Sequence, residues 1–104
     1  MRGFVVGPNA VDLEQHCVIA GSTRRPLTPQ EVALLRYLAE RAGQPVSRSD
    51  ILRDIWGWRP DTDTRAVYHA IVRLRKKLEP DPSAPVALLS VRGVGYRLQL
   101  DQTL

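Results

Sequence analysis

Arg65, Arg73, Arg75, Lys76 and Lys77 lie within a stretch that holds no carboxylate, and one further arginine, Arg92, precedes the glycine in Val91-Arg92-Gly93-Val94-Gly95. Cationic groups gathered without counter-charges create a local positive field, which attracts a polyanion. Thirteen of the fifteen basic residues are arginine, whose planar fork fits phosphate oxygens and the guanine edge. The net charge of +4 arises entirely in residues 65–104, because the eight arginines before them are balanced by eight carboxylates. Arginine usage also follows the base composition of a gene, so the bias acquires meaning only from where the residues sit.

Other chemistries find little support. Cys17 is the sole cysteine, which rules out an internal disulfide and a thiolate zinc cluster. His16 and His69 offer no metal-ligand spacing, so neither a metal nor a cofactor is expected. Neither a Ser-His-Asp arrangement nor a GxGxxG or GK[ST] loop is present, and Asp61 and Asp63 are explained by helix capping. The expectation is therefore a protein that is not an enzyme. No run approaches the roughly 18 apolar residues of a membrane span, and the N-terminus turns polar too early for a signal peptide. With 104 residues the chain is one domain's worth of polypeptide, expected in the cytoplasm without membrane contact. It is read either as a stand-alone protein or as a module of a longer one.

The basic stretch must be carried by a helix. One of Asp61, Thr62, Asp63 and Thr64 is expected to cap it, and Pro80 forbids continuation, so the helix is predicted over about 62–79. Val67, Ile71, Leu74 and Leu78 form its apolar stripe, and Arg65, Ala66, His69, Arg73 and Lys76 fall opposite. Arg75 lies about 40° from the direction of Ile71 and can also run along the core edge. Tyr68 is expected to pack or hydrogen-bond at the helix flank.

Two earlier helices complete the helical core, about 28–79. The first starts at a capping box, Thr28 with Glu31, with Pro29 in the first turn. Val32, Leu35, Leu38, Ala39 and Ala42 follow at helical spacing, and Gly43 is the expected stop. In the second, Ser47 and Asp50 form the box, and Ile51, Leu52, Ile55 and Trp56 are the core face before Gly57. Ahead of them, short strands in about 4–27 form an antiparallel sheet. After them, Ala87, Leu89 and Val91 alternate, as do Tyr96, Leu98 and Leu100, giving a β-hairpin over about 86–100. Its reversal at Arg92-Gly93-Val94-Gly95 is expected to use the positive-φ freedom of glycine.

The major groove of B-DNA admits one helix, and an arginine on an extended arm can enter the minor groove. A helix and a hairpin presented together can contact adjacent grooves. The fold class expected is thus α+β, a winged helix-turn-helix with an N-terminal antiparallel sheet, three-helix core and C-terminal hairpin wing in a single domain, 1–104.

The segments LTPQEVALLRYLAERAGQPVSRSDILRDIWG, TRAVYHAIVRLRKKLEPDP and LLSVRGVGYRL, in this order and spacing, resemble the OmpR/PhoB-type winged-helix DNA-binding domain, the output module of two-component response regulators. The resemblance covers about 4–100. It implies that the third helix is the recognition helix, that His69 and Arg73 face base edges, and that Arg65 and Arg75 meet phosphates; Lys76 joins the phosphate set. It also implies that Arg92 enters the minor groove. The loop matching 58–62 is where activators of the family touch RNA polymerase, which makes Trp58 and Arg59 candidate partner contacts. Head-to-tail self-association on paired DNA sites is a further implication. Where the family has aspartate, valine and histidine, this chain has Tyr68, His69 and Ala70, so its target sequence is expected to differ from those of relatives. The competing reading is a winged-helix module for protein–protein contact that has lost DNA binding.

Overall fold

The computed structural model describes residues 1–59 and 63–104. Four short strands, β1 (Gly3–Val6), β2 (Asn9–Asp12), β3 (Cys17–Ala20) and β4 (Thr23–Pro26), form an antiparallel meander. Phe4, Val11 and Val18 are aligned across it by register and fully buried. This row is the floor on which the helices rest. A fifth strand, which no sequence pattern predicts, comes from the C-terminus. This strand, β8 (Gln102–Thr103), pairs with β1 and completes the order β4-β3-β2-β1-β8. Just ahead of it, the Asp101 carboxylate accepts the Gly7 N–H at 2.7 Å. His16 stands in the turn before β3, with φ of 53°, rather than in a strand.

Helix α1 (Pro29–Glu40) starts as its sequence requires. Thr28 Oγ1 accepts the Glu31 N–H, and Glu31 returns the bond to the Thr28 N–H. Its buried face is Val32, Leu34, Leu35, Leu38 and Ala39. Ala42, expected on that face, is exposed because the helix stops at Glu40. Gly43 does adopt positive φ, at 80°, and its N–H donates to the Leu98 carbonyl at 2.8 Å.

Helix α2 (Arg48–Ile51) is capped by Ser47 Oγ, which accepts the Asp50 N–H at 3.0 Å. Only half of the expected box forms, for Asp50 pairs instead with Arg53 at 3.2 Å. The helix continues as a π-helical turn, Leu52–Trp56, and ends at Gly57 with φ of 71°. Ile51 and Leu52 are fully buried, and Ile55 and Trp56 pack at the core edge.

Helix α3 (Arg65–Leu78) buries Val67, Ile71, Leu74 and Leu78 completely, so the expected stripe is the real one. Asp61 and Thr62, two of the expected caps, lie outside the described residues. Thr64 makes no side-chain cap. Asp63 does that work, accepting the Arg65 N–H at 2.9 Å.

The wing is a three-stranded sheet: β5 (Val46–Ser47) pairs with β7 (Gly95–Leu98), which pairs with β6 (Leu88–Val91). Tyr96 and Leu98 of β7, and Ala87 just ahead of β6, are buried as expected, but within β6 the inner face differs by one residue from the expected alternation. Leu88 opposes Leu98, and both are fully buried, whereas Leu89 is only half-buried. A shift of one residue reverses every side chain in a strand. Of the two turn glycines, Gly93 has φ of 79° and Gly95 does not have positive φ. Gly95 is required for a different reason: a Cβ there would run into the Val46 carbonyl oxygen of β5.

Candidate nucleic-acid interface

The C-terminal half of α3 is held from three sides. From the N-terminal sheet, Asn9 Nδ2 donates to the Leu78 carbonyl at 2.7 Å and Arg25 Nη1 to the Lys77 carbonyl at 2.9 Å. These are two of the carbonyls that a helix end leaves without partners, and the Arg25 charge also suits the negative pole of the helix. From α1, Glu31 accepts the Lys77 ammonium at 2.7 Å. Burial pushes the Glu31 carboxyl up, but the hydrogen bonds from Lys77 and Thr28 outweigh it and hold it below the usual carboxylate range.

The third side is the wing. Arg75 donates through Nε and Nη2 to the Leu88 carbonyl at 3.0 and 2.8 Å, and Nη2 also reaches Ser90 Oγ at 3.2 Å. Its guanidinium follows the core edge and binds α3 to the wing. Glu79, 1% exposed, lies beneath. Its carboxylate accepts the N–H groups of Val86, Ala87 and Leu88 at 2.8–3.1 Å. Local spacing puts Arg75 near the core edge, but the partners of these two side chains are not visible in it, because each lies on a different element.

What remains of the basic stretch faces outward. Arg65 is paired with Asp63 at 2.6 Å, and the hydrogen bond from Arg65 holds the Asp63 carboxyl below its usual range. Both side chains stay largely in solvent, where such a pair is weak and readily exchanged. Arg73 and Lys76 are exposed, and neither makes an ion pair or hydrogen bond among the described residues. Arg73 borders a groove shared with Thr28, Gln30 and Ala70; Ala70 itself is buried. His69 is exposed, and its ring meets that of Tyr68 edge-on at 5.5 Å between centroids. Tyr68 does not pack at the flank as expected: it is 53% exposed, and its hydroxyl makes no hydrogen bond among the described residues. At a flank position this far from the apolar stripe, the ring has no core to enter.

Arg92 stands exposed in the three-residue turn of the wing, closed by the Val94 N–H on the Val91 carbonyl at 2.9 Å. The structure therefore brings Arg65, His69, Arg73 and Lys76 onto one open face, holds Arg92 out on a neighbouring arm, and takes Arg75 and Lys77 for internal contacts.

A separate cluster joins α1 to the π-helical turn. Tyr37 Oη donates to Asp54 at 2.6 Å, and Arg53 donates to both Asp54 oxygens. Burial and the Asp54 charge push the Tyr37 phenol up to about 12, while the hydrogen bonds from Arg53 and Tyr37 lower Asp54 to about 2. Just beyond this turn, Trp58 is half-exposed and Arg59 is exposed. Among the described residues no helix is long and apolar enough to cross a membrane.

Residues 22–98 match the family model described as "Transcriptional regulatory protein, C terminal". A probable transcriptional regulator, ycf27 of Guillardia theta, is 46% identical over 91 residues, covering 86% of this chain and 36% of the relative. The chain thus spans well under half the length of the curated relatives it matches. Among solved structures, response regulator DrrB of Thermotoga maritima, an OmpR/PhoB homolog, superposes with a TM-score of 0.79 at 31% identity, over 94% of this chain and 44% of that one. The RstA DNA-binding domain of Klebsiella pneumoniae, solved in complex with the RstA box, gives 0.77 at 30% identity, over 95% and 98% of the two chains. Helical core, wing and relatives agree, and the chain belongs to the OmpR/PhoB-type winged-helix DNA-binding domains of transcriptional regulatory proteins.

Proposed function

We propose that this chain is the sequence-specific, double-stranded-DNA-binding module of a transcriptional regulator, with α3 in the major groove and the wing in the minor groove. The observation that carries this reading is the division of labour among the cations. Arg75 and Lys77 are engaged by the fold, whereas Arg73, Lys76 and Arg92 have no partner among the described residues. Arg73 and Lys76 stand one helical turn apart, and like charges left so close attract an external anion. In this reading His69 and Arg73 face base edges, Lys76 and Arg65 meet phosphates, and Arg65 releases Asp63 to do so. Arg75 joins the phosphate set through Nη1, since its Nε and Nη2 already serve the wing. Trp58 and Arg59, on the surface after Gly57, are assigned to contact with RNA polymerase or another partner. Weak head-to-tail contacts between copies on adjacent DNA sites complete the proposal.

Binding to a selected duplex and to a scrambled one, measured across a salt series, tests it. Neutralising about four to six phosphates gives a slope of log K against log salt of about −4 to −5. Arg73→Ala should cost about 1–3 kcal/mol on the selected duplex alone, the worth of one good bidentate base contact. A flat salt dependence would return the chain to the protein-interaction reading. Equal losses on both duplexes would move Arg73 to a phosphate.

The wing has its own test. Arg92→Ala should leave the melting temperature unchanged, since the side chain is exposed and makes no hydrogen bond or ion pair among the described residues, and weaken binding by about 1 kcal/mol or more. The loss should be largest where A·T-rich sequence flanks the major-groove site and narrows the minor groove. If wild type and variant rank two duplexes differing only in that flank in the same way, Arg92 does not read the minor groove.

A further inference from the structure

We propose that Tyr68, with Val72 one turn further on, reads the 5-methyl group of thymine in the major groove; this rests on the DNA-binding reading above and names part of its specificity. A single exposed aromatic needs no special explanation. Tyr68 is set apart by its surroundings. It is the fourth residue of a 14-residue helix, and the N-terminal part of a recognition helix is the part that reaches base edges. In that part the outward residues are Arg65, Tyr68, His69 and half-buried Val72. The one cation among them, Arg65, is assigned above to a phosphate rather than to a base edge, while the unpaired cations Arg73 and Lys76 come later.

The end of α3 that enters deepest thus offers apolar and aromatic surface rather than charge. On a major-groove edge the apolar feature is the thymine methyl. The edge-on contact with His69, 5.5 Å between ring centroids, limits the freedom of the Tyr68 ring. Less entropy is then lost when the ring meets its target, as for any pre-organised contact.

The probe is a duplex selected by the wild-type chain from a random pool, with its thymines replaced one at a time by deoxyuridine, which lacks only the methyl. Wild type should lose about four-fold in affinity at one or more positions, the worth of one buried methyl-sized group. Tyr68→Ala should show no loss there, and Arg73→Ala, although weaker overall, should keep it. Tyr68→Phe retains the ring and should also keep it. Because the ring is half in solvent, none of the Tyr68 variants should melt differently from wild type. The proposal is overturned if Tyr68→Ala loses as much as wild type at every position, if no replacement affects wild type, or if Tyr68→Phe behaves like Tyr68→Ala. A pool that yields no preferred sequence overturns the DNA-binding reading itself, and this inference with it.

Discussion

Glu79→Ala is expected to cost about 3–5 kcal/mol and to lower the melting temperature by about 15–30 °C. The carboxylate is 1% exposed and accepts the N–H groups of Val86, Ala87 and Leu88. Alanine leaves the Ala87 and Leu88 amides buried with no acceptor and no route to water, at about 1–3 kcal/mol each. It also empties the volume the side chain filled. The placement of Glu79 is otherwise unfavourable, because a negative charge at the C-terminal end of α3 opposes the helix dipole. Only the convergent amides of the wing strand explain why a buried anion is tolerated there. Glu79→Gln keeps one acceptor oxygen but turns an amide NH2 toward backbone donors, so an intermediate loss of about 1–2 kcal/mol is expected. Thermal unfolding of the three proteins at one pH checks the order. A Glu79→Ala protein melting within about 5 °C of wild type would show that the wing amides do not depend on this carboxylate.

The same residue shows where sequence reasoning succeeds and where it stops. Features written in consecutive residues are legible. The Thr28–Glu31 capping box, the Val67-Ile71-Leu74-Leu78 stripe and the left-handed Gly43 and Gly57 are each determined within about three turns of chain or fewer. Features that need a distant partner are not. Strands of two residues, Val46–Ser47 and Gln102–Thr103, carry no periodicity, and exist because β7 and β1 offer them an edge. The inner face of β6 differs by one from the expected alternation because Leu88, Leu89 and Val91 are all apolar, so alternation alone fits either face.

The charge run is legible as a run but only partly as a surface. Lys77 finds Glu31 forty-six residues away, and Arg75 finds a backbone carbonyl on the wing. Helical geometry places Arg75 near the core edge but does not name its partner, and it gives no sign that Lys77 is engaged. Only the packing separates those that hold the fold from Arg73, Lys76 and Arg92, which face outward.

Gly95→Ala is expected to be more damaging than Gly93→Ala, by an amount that separates two kinds of glycine requirement. At Gly93 φ is 79° and nothing lies within 4 Å of where a Cβ would stand, so alanine meets only the left-handed penalty of about 1–2 kcal/mol. At Gly95 the backbone is ordinary, but an added methyl overlaps the Val46 carbonyl oxygen and lies 3.0 Å from Arg48 N and 3.1 Å from the Ser47 carbonyl carbon. These are backbone atoms that no rotamer change can move aside. Strand β5 must therefore part from β7, losing the Ser47–Gly95 and Val46–Tyr96 pairing. Because β5 runs directly into α2, the disturbance reaches the helix-turn-helix core, and a loss of about 3 kcal/mol or more is expected, in the range of other severe steric substitutions. Chemical denaturation of both variants gives the comparison, and DNA binding by the folded fraction gives a second. Gly93→Ala should leave the wing anchored, whereas Gly95→Ala should weaken the contribution proposed for Arg92 along with stability. A Gly95→Ala protein as stable as Gly93→Ala would mean that β5 and β7 can separate at little cost, and that the third strand does not hold the wing.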